Sequence, residues 1–106
     1  MQDIKWTAAE KKIARRVFAA ALQREYADII ARLKALAAQA DTPEALWVVH
    51  DFLSEQRRQI DVKYDYRYSQ LIVVFGRLLR EKWIAEDELV GLAEDKMQQI
   101  LFIATP

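Results

Sequence analysis

The sequence predicts an all-α protein in which two long antiparallel helices form a stalk and further helices form a small head. Helix breakers are nearly absent, because the 106 residues include only two glycines and two prolines. Apolar residues recur at helical spacing along most of the chain. A chain of this length has room for one core, so residues 1–106 are expected to form a single domain. We place the stalk at about residues 7–64 and the head at about residues 65–103.

The first helix is expected to begin after Thr7. Thr7 and Glu10 match a capping box, in which each side chain satisfies a free backbone N–H group. The helix formers of residues 8–40 predict a helix about 50 Å long, which must project from a compact head. Apolar residues recur along this helix at alternating spacings of four and three residues and so form one stripe. They are Leu22, Tyr26, Ile29, Leu33, Leu36 and Ala40.

A second helix is expected to start after a tight turn. Thr42 can cap it, and Pro43 suits its first position. Its apolar arc should pack on the first helix. That arc contains Leu46, Val49, Phe52, Leu53 and Ile60.

Two further helices complete the prediction. Asp65 can cap a third helix that runs to about Glu81. The run from Leu71 to Phe75 is strand-like by propensity, but no other segment could pair with it as a strand. A last helix is expected from Glu86 to about Ile103. Its inward positions are Leu89, Leu92, Met97, Ile100 and Ile103.

Charge and composition exclude several classes of function. Lysine and arginine total 16, as do aspartate and glutamate, so no net charge attracts nucleic acid or an anionic membrane. Cysteine is absent, Met1–Trp6 does not resemble an export signal, and no apolar run is long enough to span a membrane. We therefore expect a soluble cytoplasmic protein without cofactor, metal or catalytic site.

The length of the stalk predicts a homodimer. Two helices alone cannot bury both apolar stripes, so a second copy should cover what remains. The residues expected at this interface are Leu46, Trp47 and Leu53 of the second helix, and Ile29 and Leu33 of the first.

The polar face of the second helix is the main candidate for a binding site. It combines an apparently exposed tryptophan with charged residues, and tryptophan and arginine are enriched in binding hot spots. Alternatively, Trp47 packs in the dimer interface and the charges are solvated, with a local ion pair between Asp51 and Arg58. The face comprises Trp47, Asp51, Ser54, Arg58 and Asp61, with His50 and Arg57 at its border.

Other polar residues give weaker signals. Tyr64, Tyr66 and Tyr68 could form a second recognition patch, or could simply pack at the bend between stalk and head. The pair His50 and Asp51 occurs in metal-dependent phosphohydrolases, but that chemistry needs further ligands which a chain with one histidine lacks. We expect no enzymatic activity.

The second helix resembles the fluorescence recovery proteins of cyanobacteria. The likeness continues in the last helix, from Glu86 to Lys96, and more loosely in Gln23–Glu25. The positions that carry it are Trp47, His50, Asp51, Phe52, Leu53, Ser54, Arg57, Ile60, Asp61, Lys63, Tyr64, Asp65, Arg67 and Ser69.

This resemblance implies a photoprotection regulator. Such a helical dimer binds the C-terminal domain of orange carotenoid protein and speeds its return from the red to the orange form. Quenching at the phycobilisome, the antenna on the cytoplasmic side of the thylakoid, then ends. The dimer and partner-binding residues would be Leu46, Trp47, His50, Asp51 and Arg57.

The chain departs from the family pattern on the head and at the bend. Val62 stands where glycine is common, Val73 where phenylalanine is expected, and Gln99 where lysine is expected. Val73 and Gln99 lie on a head surface that the resemblance links to partner binding. With Tyr68, they form a second candidate region for partner binding. The alternative is a family relative that binds a different protein client.

Overall fold

The computed structural model describes residues 4–106, and every regular element within that range is a helix. Residues 1–3, part of the segment used to judge export, lie outside it. The molecule measures 53 × 28 × 27 Å, which agrees with a projecting stalk. Its elements are α1 (Ala8–Ala38), α2 (Pro43–Lys63), α3 (Leu71–Arg80), a 3₁₀ helix (Glu86–Leu89) and α4 (Glu94–Ala104).

Both stalk helices start where the sequence predicts. Thr7 Oγ1 accepts from the Glu10 N–H at 3.1 Å, while Glu10 Oε1 accepts from the Thr7 N–H at 3.0 Å. Thr42 Oγ1 accepts from the Ala45 N–H at 3.1 Å, and Pro43 is the first residue of α2. The antiparallel arrangement is confirmed by the guanidinium of Arg32, which lies 4.9 Å from the centre of the Phe52 ring. Helix α1 ends two residues before the predicted Ala40.

The buried face of α2 is rotated from the predicted arc. Ile60 is buried and Val49 is half-buried, as expected. Leu46, however, is 56% exposed, so the prediction that it packs on α1 is wrong within one chain. Leu53 is 40% exposed and meets α1 only in part, at a groove that it lines together with Ile29. The side of α2 that faces inward is the side of Lys63, which is buried between the carboxylates of Glu25 and Glu81.

The third helix begins later than predicted. Asp65 does not cap it, because its carboxylate accepts hydrogen bonds from the Arg67 guanidinium at 2.9 and 3.0 Å. Residues 64–70 form an irregular connection, and α3 starts at Leu71 without a side-chain cap. The strand-like run is helical, as predicted, because its apolar side chains enter the core on one face.

The predicted last helix is two separate elements. Gly91 has a φ of +110°, a conformation that L-residues with side chains rarely adopt and that a helix cannot contain. The 3₁₀ helix therefore ends at Leu89, and α4 starts at Glu94. The inward positions were nevertheless correct, since Leu89, Leu92 and Ile100 are buried.

The first half of α1 belongs to the head. Ala14, Val17 and Ala21 are buried in the same core as α3 and α4. Small side chains at these positions allow the head to pack closely on α1. The fully or nearly fully buried residues of this core from the rest of the chain include Leu71, Phe75, Leu78, Leu89 and Ile100.

Candidate protein-docking site on the stalk

Three residues predicted to bind a partner form an exposed cluster on α2. Trp47 is 61% exposed, and its ring meets the His50 imidazole edge-on at 6.1 Å between centroids. His50 Nδ1 lies 3.5 Å from Asp51 Oδ1. A large apolar ring is thus held beside a carboxylate, with both accessible to a second molecule.

The neighbouring ion pair differs from the one the sequence suggested. Arg58 does not pair with Asp51, since its Nη2 donates to Glu55 Oε1 at 2.6 Å. These hydrogen bonds from Arg58, with another from Gln59, lower the pKa of Glu55 to about 2. Within residues 4–106, Asp51 has an ion-pair contact with His50 alone. Its carboxylate is available to a donor on a partner.

Arg57 lies apart from this cluster, at a groove between the stalk helices. The groove has a volume of about 480 Å³ and an apolar floor. With about 1.5 Å of rise per residue, Arg57 is about 10 Å along α2 from His50. The groove is lined by Tyr26, Ile29, Leu53, Gln56, Arg57, Ile60 and Asp61.

The residues predicted for a dimer interface differ in exposure. Leu46, Trp47 and Leu53 are exposed, and Leu33 is half-buried. Ile29 is already buried within the chain, where it lines the floor of the stalk groove. In a dimer interface, Ile29 would therefore lie beneath the exposed side chains and support them from within the chain.

The head residues named from the sequence do not share one environment. The Tyr68 ring packs 5.9 Å from the Trp6 ring and carries the Lys11 ammonium 5.0 Å above it. Val73 is 52% exposed on α3, and Gln99 is exposed on α4. Gln99 shares a surface cleft with Phe102, which is 83% exposed and which the sequence reading did not single out.

Sequence reasoning also missed a buried ionic cluster at the junction of stalk and head. Lys63 Nζ donates to Glu25 Oε2 at 2.6 Å and to Glu81 Oε1 at 2.8 Å. The Tyr64 hydroxyl donates to Glu25 Oε1 at 2.9 Å. The pKa of Tyr64 is raised mainly by burial and, to a smaller extent, by this hydrogen bond to Glu25. Burial also acts to raise the pKa of Glu81, but Lys63 and Arg77 lower it on balance.

One signal in the sequence could have located this cluster. Glu10 and Glu25 continue, at helical spacing, the stripe formed by Ala14, Val17 and Ala21. A charged residue on an apolar stripe must find a partner when it is buried. Glu10 also has such a partner, because Lys96 Nζ donates to Glu10 Oε1 at 3.1 Å.

The described residues contain no metal cluster and no membrane helix. Within residues 4–106, no group of three or more histidine, cysteine, aspartate or glutamate side chains could hold a metal ion. No helix in that range is long and apolar enough to cross a membrane. Together, the fold and the exposed stalk surface define the class of all-helical proteins with a two-helix stalk and a helical head.

Within that class, the chain belongs to the family described as photoprotection regulator fluorescence recovery protein. The family model matches residues 6–104. The fluorescence recovery protein of Synechocystis sp. PCC 6803 is 42% identical over 99 residues, which cover 93% of this chain and 91% of that protein.

Solved structures agree with this membership. The fluorescence recovery protein of Fremyella diplosiphon superposes with a TM-score of 0.92 at 37% identity, over 96% of this chain and all of that one. The Synechocystis protein superposes with the same TM-score and coverage at 41% identity. The all-helical fold predicted from the sequence is thereby confirmed.

Proposed function

We propose that the protein is a non-enzymatic regulator that binds the C-terminal domain of orange carotenoid protein and accelerates its return from the red to the orange form. Quenching at the phycobilisome would then end. Membership of the photoprotection regulator family supports this function, and the exposed cluster of Trp47, His50 and Asp51 supplies a surface for docking. The site of action would be the cytoplasm, at the thylakoid face that carries the phycobilisomes.

The acceleration needs no cofactor of the regulator's own. A binding protein speeds a conformational change only when it binds the converting arrangement better than the starting one. Equal affinity for the starting form and the converting arrangement would leave the rate unchanged. The regulator must therefore contact surfaces of the client that move closer or become exposed during recovery.

The docking site is proposed to use two parts of α2. Trp47 supplies a rigid apolar anchor, and the exposed carboxylate of Asp51 accepts hydrogen bonds from the client. His50 supports the Trp47 ring through its edge-on contact. Arg57 offers a planar pair of donors at the stalk groove, about 10 Å away.

We further propose that the active form is a homodimer. Leu46, Trp47 and Leu53 leave apolar area in water on the stalk, and Tyr26 and Ile30 add to it from α1. Covering such area is the usual driving force for association. Leu33 would contribute at the edge and Ile29 from below.

A second contact region is proposed on the head, around Tyr68, Val73 and Gln99. Phe102 adds an exposed ring one turn from Gln99 on α4. This same region favours the alternative function, a helical binding protein for another client. Val73 and Gln99 replace the phenylalanine and lysine that the resemblance leads one to expect, so the head surface differs in shape and charge.

Recovery kinetics test the proposal directly. Photoactivated orange carotenoid protein is mixed with the wild type, Arg57→Lys, Asp51→Leu and the control Arg58→Lys, and the return of the orange spectrum is timed in the dark. We expect Arg57→Lys and Asp51→Leu to lose most acceleration, while Arg58→Lys keeps it. Circular dichroism and dimer mass serve as controls. No acceleration by the folded wild type would support the other client, and full activity of both variants would exclude the α2 face.

A further inference from the structure

The outer side of α1 in the head carries four cations within two helical turns. Lys12, Arg15 and Arg16 are exposed, and Lys11 is half-buried at the edge. Their spacing places them on the side opposite Ala14 and Val17, which face the core. We call these four residues the basic strip, and list them as Lys11, Lys12, Arg15 and Arg16.

No carboxylate in the described part of the chain forms a direct ion pair with the basic strip, although the Glu88 carboxylate lies near enough to Arg16 for a weaker electrostatic attraction. Arg16 donates to the backbone carbonyl of Glu88 at 3.2 Å, and Lys11 lies over the Tyr68 ring. Glu10, the nearest acid along α1, points inward to Lys96. Arg24, in contrast, is held by Glu88 at 2.7 Å. The positive charge of the strip is therefore local, in a chain whose net charge is zero.

A groove with an apolar floor adjoins the strip at the start of α1. Its volume is about 310 Å³, and Lys11 belongs to both the groove and the strip. Two ammonium groups, of Lys5 and Lys11, stand at its rim. The residues that line it are Ile4, Lys5, Trp6, Lys11 and Tyr68.

We propose that the basic strip and this groove together bind an acidic segment of a partner protein. Carboxylates of the segment pair with the strip, and one of its apolar side chains enters the groove. The surface is on the head, about 30 Å along α1 from the level of Trp47. It is distinct from the docking site on α2, although it shares Tyr68 with the contact region proposed on the head. The proposal does not depend on orange carotenoid protein being the client.

The chemistry of the surface favours a polypeptide over a membrane or a nucleic acid. Beyond the two ends of the strip this side of α1 presents alanines, such as Ala8 and Ala19, and no large apolar residue that could enter a bilayer. A chain with zero net charge has no long-range attraction to a phosphate polymer. A groove sized for one side chain beside several cations suits a peptide that alternates carboxylates with an apolar residue.

Binding of a defined peptide tests this proposal. The probe is a fluorescein-labelled peptide of twelve residues with glutamates and one central tryptophan. The full chain is compared with Lys12→Gln/Arg15→Gln, and with Lys34→Gln/Lys82→Gln as a control that removes the same charge elsewhere. We expect binding to weaken with salt, about tenfold weaker binding by the strip variant, and less than about threefold weaker binding by the control.

Three further probes decide between partners. They are the same peptide with glutamine for glutamate, a single-stranded oligonucleotide of twelve nucleotides, and phosphatidylserine vesicles. The acidic peptide should bind more tightly than all three, and replacing its tryptophan by alanine should weaken it several-fold. Equal loss in both variants would overturn the proposal. So would tighter binding of the oligonucleotide or the vesicles, which would assign the strip to phosphate groups.

Discussion

The ammonium group of Lys63 lies 2.6 Å from a carboxylate oxygen of Glu25, and the two side chains are only 4% and 8% exposed. The contact joins the last residue of α2 to the middle of α1. Glu81, just beyond α3, completes the cluster from the head. One cation thus holds together the three helices that meet where stalk and head join.

Replacing Lys63 should strongly destabilise the protein. Lys63→Met leaves the buried Glu25 carboxylate without its cation, a change that costs about 3–5 kcal/mol when a buried pair loses one partner. Urea unfolding followed by circular dichroism measures the loss. Arg58→Met is the matched control, because Arg58 and Glu55 form a solvent-screened surface pair whose loss should leave the free energy of unfolding nearly unchanged. A loss below about 1 kcal/mol for Lys63→Met would contradict a structural role of this pair.

Acid should weaken the link between α1 and α4. Burial acts to raise the pKa of Glu10, but hydrogen bonds from Thr7, Ala93 and Lys96 lower it from 4.5 to about 2. A lowered carboxyl pKa stabilises the fold above pH 4.5, and this stabilisation is lost as the pH falls toward 2. The difference in unfolding free energy between wild type and Glu10→Gln should shrink by about 3 kcal/mol over that interval. The exposed Glu86→Gln variant should show no such change, and a constant difference for Glu10→Gln would refute the assignment.

Gly76 should not tolerate a methyl group. A Cβ added there would lie 2.6 Å from Ile103 Cβ and 3.2 Å from the Ile100 carbonyl oxygen, so α3 and α4 would have to move apart. We expect Gly76→Ala to lower the free energy of unfolding by about 1–3 kcal/mol. Helix propensity alone predicts the opposite sign, a gain of about 1 kcal/mol. Thermal unfolding separates the two, with Val73→Ala as an exposed control in the same helix.

A charge at Leu46 should dissociate the proposed dimer. An unpaired carboxylate in an apolar interface costs several kcal/mol, so Leu46→Glu should raise the dissociation constant at least about a hundredfold. Val48→Glu is the control, since Val48 is equally exposed at 56% but lies about 200° around α2. Analytical ultracentrifugation across a concentration series gives both constants. An unchanged constant for Leu46→Glu would remove Leu46 from the interface.

Local signals in the sequence were sufficient to predict where the two stalk helices begin. The capping residues Thr7 and Thr42 and the position of Pro43 locate the start of both long helices, because a helix start depends on a few neighbouring residues. Trp47 and Asp51 were also recognised as exposed. Periodicity placed these two polar-face residues correctly, although it did not give the exact rotation of α2.

Features that depend on residues distant in sequence could not be predicted from such local signals. The buried side of α2 includes Lys63, whose partners Glu25 and Glu81 are remote in sequence. Gly91, with its positive φ, interrupts the expected last helix between Leu89 and Leu92, and both of these leucines are buried. Apolar periodicity does not distinguish one helix from two when both bury the same side.

Helix α1 is shared between the two halves of the molecule, and no glycine or proline interrupts it from Ala8 to Ala38. Its first half is part of the core of the head, and its second half supports α2. Bending the head relative to the stalk would therefore require breaking a continuous helix. The continuous helix therefore keeps the basic strip and the Trp47 cluster at a fixed separation of about 30 Å. Any assembly that contacts both surfaces at once must match that spacing.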